Sequence, residues 1–157
     1  MLYECHAGTL CTVSDGERRN MERFLDIPCD PKELSPLTLA FVGDCVFELF
    51  VREKLVCDSN CSVNTLHGKA VQQVCCTAQA QDCKILQPIL TEEEIAVLHR
   101  GRNAHTHHIP KNASVADYHA ATGLEALFGY LYLQSRLPRL RELFQVLQNA
   151  RENRGEV

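Results

Sequence analysis

The chain has 157 residues, a length that suits one folded domain with a substantial core. Sixteen Lys and Arg against twenty Asp and Glu give a net charge of −4, which excludes a uniformly basic surface for nucleic acid and leaves only local basic patches. The hydrophobic share of 45% argues against disorder, and no run reaches the roughly 18 apolar residues of a membrane span.

The chain begins with a segment, residues 1–20, that has neither a helical nor a strand period and lacks the apolar stretch of a secretory signal. It is predicted to be a disordered extension or to precede the natural start codon. We expect one domain over residues 21–150, a short tail over 151–157, and a cytoplasmic protein without membrane contact.

The first helix signal is Ser35-Pro36, because Ser caps free backbone N–H groups and Pro fits the first helical turn. A helix is predicted over residues 36–54. The evidence is a repeat of apolar residues about every four positions, at Leu37, Phe41, Cys45 and Leu49, flanked by Val42, Val46 and Phe50.

A second helix is predicted from Leu66, with a continuation as far as Leu86 and an end near Pro88. Thr91 and Glu94 have the spacing of a capping box, so a short helix should follow and stop at Gly101.

Residues 101–113 are predicted to form a loop, after which Ser114 and Asp117 give a second box-like helix start. Pro138 should break or kink that helix near its end, and a final amphipathic stretch follows. No alternating strand with hairpin turns is found, so the fold class is predicted to be all-α.

The nine cysteines form an odd set that cannot pair completely within one chain. Cys57 and Cys61 lack the second pair that a zinc finger needs, so zinc is not favoured. Cys45, Cys75 and Cys76 lie in apolar helical patterns and are interpreted as small buried hydrophobic residues.

Two carboxylates interrupt otherwise apolar helices, namely Asp44 and Glu125. Gly43 precedes the first, and Gly123 and Gly129 flank the second, although glycine costs roughly 1 kcal/mol in a helix interior. If the two helices cross at these glycines, the carboxylates converge and can bind a hard divalent cation. The alternative is that both acids are exposed or are each satisfied by an Arg.

A basic segment is the second candidate feature, since no acid occurs from residue 95 to residue 116. Its Lys, Arg and Asn side chains have the chemistry to contact phosphate or sugar oxygens of a nucleic acid. An ordinary solvated loop is an equally good interpretation of this composition. A metal site at the histidines of residues 105–108 is disfavoured, because no carboxylate or cysteine lies beside them. The candidate nucleic-acid-binding residues are Arg100, Arg102, Asn103, Lys111 and Asn112.

Four segments in the same order resemble Mini-ribonuclease III, the short bacterial branch of the ribonuclease III family. They are LAFVGDCVFE at 39–48, HRGRNA at 99–104, PKN at 110–112 and ATGLEALFGYLYL at 121–133. The resemblance spans about residues 35–147, so it is far more specific than any one motif.

The resemblance implies a homodimeric, all-helical endonuclease domain that cleaves double-stranded RNA and leaves 5′-phosphates. It further implies that Asp44 and Glu125 are catalytic and hold Mg²⁺. The implied role is rRNA processing in ribosome biogenesis, through maturation of the large-subunit (23S) rRNA precursor, with no action on DNA. Larger family members carry acids at two positions where this chain has Ala40 and Thr122, and the short branch resembles this chain at both. Glu48 is therefore a candidate to compensate for the missing metal ligands.

A non-catalytic module with the same fold, which binds duplex RNA or assists ribosome assembly, is the rival interpretation. The two interpretations differ at Asp44 and Glu125, because only the enzyme needs both carboxylates and a divalent ion.

Overall fold

The computed structural model describes residues 23–25, 27–104 and 114–155, and this part of the chain is helical without strands, as predicted. A short 3₁₀ turn over Gln87–Ile89 separates the third and fourth helices. The helices are α1 (Pro36–Asp58), α2 (Val63–Val74), α3 (Cys76–Leu86), α4 (Glu92–Arg102), α5 (Val115–Leu133) and α6 (Leu137–Asn153).

The helix starts follow the predicted cap chemistry. Ser35 accepts a hydrogen bond from the backbone N–H of Thr38, and Ser114 does the same for Asp117. Thr91 and Glu94 form the reciprocal capping box at the start of α4. Each cap satisfies backbone donors that have no partner within the helix, so these starts are set by local sequence.

Two helix boundaries differ from the prediction. The expected single helix from Leu66 is broken at Cys75, whose ψ of 153° is extended and which ends α2 and precedes α3. Near the other end of the chain, α5 stops at Leu133, and Pro138 lies in the first turn of α6. Helix α6 extends from Leu137 to Asn153.

Helix α5 is the centre of the core, since ten of its residues are buried and α1, α3 and α4 pack around it. Aromatic rings fill the space between α1, α5 and α6, where Phe47 packs edge-on against Phe128 with ring centroids 5.1 Å apart. Such aromatic contacts add to the apolar area that stabilises the bundle.

Helix α1 has apolar residues on its buried side and on its exposed side. Leu39 and Phe47 are fully buried, whereas Phe41 is 78% exposed, Leu49 is 46% exposed and Leu37 is 40% exposed. The apolar repeat therefore indicates the helix but does not decide which side packs against α5. The chain consequently carries an exposed apolar stripe along α1, composed of Leu37, Phe41, Cys45 and Leu49.

The interpretation of Cys45, Cys75 and Cys76 as buried residues is wrong. Cys45 lies on the exposed stripe, Cys75 is exposed at the break between α2 and α3, and Cys76 is half-buried. Among the cysteines that the structure describes, Cys83 is the buried one, on the side of α3 that contacts the core.

Candidate metal and catalytic site

The site is built where α1 crosses α5 at two glycines. A Cβ atom on Gly43 would lie 1.7 Å from the carbonyl oxygen of Glu125, and one on Gly129 would lie 2.0 Å from that of Leu39. The two backbones are therefore in direct contact, and a side chain at either glycine would force them apart. The third glycine, Gly123, instead faces α4, where its Cβ would meet the carbonyl oxygen of Leu98 at 2.8 Å.

This crossing brings the two predicted carboxylates together. Asp44 follows Gly43 and is exposed, while Glu125 is half-buried on the facing helix. The two carboxylates are close enough to interact electrostatically, since the charge of Asp44 contributes to the raised pKa of Glu125. Neither acid has an arginine partner among the described residues, which removes the alternative that an Arg satisfies each of them.

The environment disfavours ionising both acids at once. Burial, and then the charge of Asp44, raise the pKa of Glu125 to about 7, against a smaller lowering by the Gln79 amide. Burial and the nearby Glu48 carboxylate also raise the pKa of Asp44. A bound cation reverses this balance, because its positive charge favours the ionised form of both groups.

The donor atoms fit a hard divalent ion, since carboxylate oxygens are the ligands that Mg²⁺ prefers. Among the residues that the structure describes, no group of three or more His, Cys, Asp or Glu side chains is arranged to hold a metal. Asp44 and Glu125 would thus supply two anchoring groups, and water or RNA phosphate oxygens would supply the other ligands, in keeping with the few protein ligands typical of Mg²⁺.

Glu48, the acid predicted to compensate for the missing metal ligands, forms an ion pair with Arg52. The Arg52 Nε atom donates to Glu48 Oε1 at 3.0 Å, and the two side chains form an ion pair one helical turn apart. Glu48 adds negative charge beside Asp44, but it does not complete a three-residue metal cluster within the described part of the chain.

Helix α3 supplies a wall of the site that the sequence analysis missed. Gln79 is 1% exposed and its amide lies near the Glu125 carboxylate, although its Nε2 reaches hydrogen-bonding geometry with no group in the described part of the chain. Cys76 is also close, because burial and then the charge of Glu125 raise the pKa of its thiol. Neither residue belongs to a motif that sequence reasoning recognises.

The predicted RNA-binding residues lie at the end of α4 and beyond it. Arg100 is exposed, but its Nη2 donates to the carbonyl oxygen of Leu34 at 3.0 Å, so it also anchors the segment before α1. Arg102 and Asn103 are exposed at the helix end. Lys111 and Asn112 lie outside the described residues.

Two further arginines, Arg136 and Arg139, form ion pairs with acids of α4. Arg139 binds Glu94, whose side chain is fully buried, with two nitrogen–oxygen distances of 2.9 Å. Arg136 pairs with Glu93 at 3.0 Å, and both side chains of this pair are partly exposed. The charge of these arginines is thus offset within the fold by Glu93 and Glu94.

Comparison with known proteins shows the family to which this chain belongs. The family model described as the Ribonuclease III domain matches residues 37–136. The Mini-ribonuclease 3 of Symbiobacterium thermophilum is 50% identical over 116 residues, which cover 74% of this chain and 89% of that protein. The chain belongs to the ribonuclease III family. The resemblance inferred from the four motifs is confirmed, and so is the all-α fold class.

Other relatives agree with this assignment. The Mini-ribonuclease 3 of Clostridium tetani is 42% identical over 132 residues, or 81% of this chain and 87% of that protein. A crystal structure of a Fusobacterium nucleatum protein covers 78% of this chain and 99% of its own, with a TM-score of 0.70 and 26% identity.

Membership in the ribonuclease III family makes the chain an endoribonuclease of the type that acts on double-stranded RNA, and this family generally depends on a divalent metal. None of the helices in the described ranges is long and apolar enough to span a membrane.

Proposed function

We propose that this endoribonuclease cleaves double-stranded RNA in a Mg²⁺-dependent reaction and matures the ends of the large-subunit (23S) rRNA precursor in the cytoplasm. The observation that supports the proposal is the convergence of Asp44 and Glu125 at a helix crossing that only glycine permits, in a member of the ribonuclease III family. The ribosomal substrate rests on the resemblance to Mini-ribonucleases.

In this mechanism Asp44 and Glu125 would hold the metal, and Asp44 lies on the exposed side, where the scissile phosphate must approach. The chemistry that a bound Mg²⁺ would supply there is activation of a water for in-line attack and neutralisation of charge on the phosphate. Glu125 must lose its proton before it can act as a ligand, and it lies half-buried on α5 where that helix crosses α1. The expected products carry a 5′-phosphate and a 3′-hydroxyl.

The basic end of α4 is proposed to position the duplex. A-form RNA is recognised largely through its shape, phosphates and 2′-hydroxyls, so a few donors suffice and DNA is not an expected substrate. Arg102 and Asn103 present exposed donors there, and Arg100 contributes its remaining guanidinium nitrogens. Lys111 and Asn112 complete the proposed set. Sequence preference should be weak, and binding should fall as salt rises.

A homodimer is proposed because the exposed stripe of α1 is unusually apolar for a free surface. It carries Phe41, which is 78% exposed, and it runs past Asp44 on the same helix. A second copy that covers this stripe would bury apolar surface and place two metal sites on one assembly. The proposed domain limits remain residues 21–150, with an extension over 1–20 and a tail over 151–157.

The experiment that tests the catalytic proposal compares cleavage of a long RNA duplex with Mg²⁺ and with chelator, using wild type, Asp44→Asn and the control Glu53→Gln. Glu53 is an exposed acid on the same helix. Wild type and Glu53→Gln should cleave only with Mg²⁺, while Asp44→Asn should still shift the duplex in a gel without cutting it. Cleavage by Asp44→Asn at the wild-type rate, or no Mg²⁺-dependent cleavage, would favour the non-catalytic RNA-binding module.

The dimer has its own test, which is sedimentation of Phe41→Asp beside Val63→Asp. Val63 is 79% exposed on α2, so the two substitutions place the same charge at equally exposed apolar positions. Phe41→Asp should yield a folded monomer and Val63→Asp should remain a dimer. A dimer of unchanged affinity in Phe41→Asp would refute the assignment of this stripe.

A further inference from the structure

Gln79 on α3 is a buried amide whose position demands an explanation. Its side chain is 1% exposed, and its Nε2 atom has no hydrogen-bond partner among the described residues. Burying an amide donor without a partner is unfavourable, so most buried amides in proteins are paired. A donor kept buried and unpaired on the wall of a reactive site indicates a partner that engages it in another state of that site.

The carboxylate of Glu125 is a partner of this kind. The Gln79 amide already lowers the pKa of that carboxylate, so it lies near the oxygen atoms while remaining short of hydrogen-bonding geometry. An ionised carboxylate only accepts hydrogen bonds, and the amide nitrogen only donates them, so the two groups are chemically matched. The interaction strengthens when Glu125 is charged, which is its state as a metal ligand.

We infer that Gln79 is a positioning residue, whose Nε2 donates to ionised Glu125 and fixes that carboxylate for the divalent cation. The inference rests on the proposed metal site and extends it to a third helix, since Asp44, Glu125 and Gln79 come from α1, α5 and α3. Gln79 acts through Glu125 and does not itself touch the ion or the RNA. Metal-ligating carboxylates commonly depend on such outer hydrogen bonds for orientation and affinity.

The chain offers a matched control in Gln148 on α6. Gln148 is 5% exposed, and its Nε2 also has no hydrogen-bond partner within the described ranges. It lines a different cleft, together with Lys69 and Arg151, and takes no part in the electrostatics of Asp44 or Glu125. Gln79→Met and Gln148→Met therefore remove the same kind of unpaired amide at similar volume, and only the first lies beside the carboxylate pair.

The test is Mn²⁺ binding, measured by electron paramagnetic resonance on the full chain without RNA, for wild type and both Met variants. Gln79→Met should bind Mn²⁺ about tenfold more weakly, the size expected for loss of one hydrogen bond to a charged group. Gln148→Met should match wild type. In chelator, neither variant should melt below wild type, because each replaces an unpaired buried amide by an apolar group.

Two further results separate positioning from a general structural effect. Cleavage by Gln79→Met should show a lower kcat at subsaturating Mg²⁺ with an unchanged KM for duplex RNA. If Gln79→Met does not fold, Gln79→Leu serves as the second variant. Wild-type Mn²⁺ affinity in Gln79→Met, or equal losses in Gln79→Met and Gln148→Met, would overturn the inference. Absence of Mn²⁺ binding by wild type would instead refute the metal site itself, and the inference with it.

Discussion

Because α1 and α5 are in backbone contact at Gly43, we expect Gly43→Ala to destabilise the protein. The added Cβ would lie 1.7 Å from the Glu125 carbonyl oxygen and 2.6 Å from the Gly129 nitrogen, and real Cβ contacts essentially never fall below 3.0 Å. Both neighbours are backbone atoms, so no rotamer change relieves the clash, and the helices must separate by roughly 1 Å. Separation on this scale forfeits a quarter to a half of the local dispersion energy.

The net cost follows from two opposing effects. Overpacking a protein core costs about 1–3 kcal/mol of stability, and a clash with backbone atoms should cost at least the upper value of that range. Against this, alanine in place of glycine stabilises a helix by ~1 kcal/mol. We expect a loss of about 2–3 kcal/mol in the free energy of unfolding, which for a chain of this size lowers Tm by roughly 5–10 °C. Cleavage should fall as well, because the separation moves Asp44 away from Glu125.

The assay is thermal and urea unfolding followed by circular dichroism, with Gly68→Ala as the matched control. Gly68 lies inside α2, and no atom lies within 4 Å of a Cβ added there. That substitution should raise stability by about 0.5–1 kcal/mol through helix propensity alone. If Gly43→Ala is as stable as wild type, or gains stability as Gly68→Ala does, the close helix crossing is wrong.

Three further predictions concern charge. Folding raises the pKa of Glu125 from 4.5 to about 7, so the metal-free native state binds one more proton than the unfolded chain in this range, and its free energy of unfolding should fall by ~3 kcal/mol as the pH rises from 4.5 to 7. Urea titrations across this pH range should show the fall in wild type and not in Glu125→Gln. Glu48→Gln should keep the cleavage rate within about twofold of wild type in duplex assays, because Arg52 already engages that carboxylate at the exposed surface; a large loss of Mg²⁺ affinity would show that Glu48 is a ligand after all. Arg139→Gln should cost about 3–5 kcal/mol in unfolding experiments because it leaves Glu94 buried and unpaired, yet cleavage per folded molecule should not change; a loss of RNA binding would assign Arg139 to the substrate surface.

The sequence predicted the helix starts well because capping is local chemistry. Ser35, Thr91 and Ser114 each satisfy nearby backbone N–H groups, and no distant contact is needed. The break at Cys75 could not be predicted, since neither Gly nor Pro marks it and the extended conformation there depends on how α2 and α3 pack. The side of α1 that packs could not be predicted from its apolar repeat, because apolar residues lie on more than one side of the helix and contact with α5 decides which of them are buried.

In the candidate site, too, local sequence predicted some residues, while others depend on tertiary packing. The glycines beside Asp44 and Glu125 indicated a close crossing, and the structure places that crossing at Gly43 and Gly129. Gln79 gave no sequence signal, because its role depends on α3 lying against α5, which is a tertiary contact. Local patterns thus predicted the two acids, and only the packing of a third helix revealed the amide beside them.

We propose above all that Asp44 and Glu125 act as one unit that holds a divalent cation for cleavage. The most direct test is the single-turnover rate on duplex RNA at saturating Mg²⁺ for Asp44→Asn, Glu125→Gln and the double variant. Residues that act as a unit give strongly non-additive losses. Each single variant should lose at least about 100-fold, and the double variant should be no more than about threefold slower than the slower single variant. Losses that multiply in the double variant, or a single variant that retains the wild-type rate, would contradict the claim.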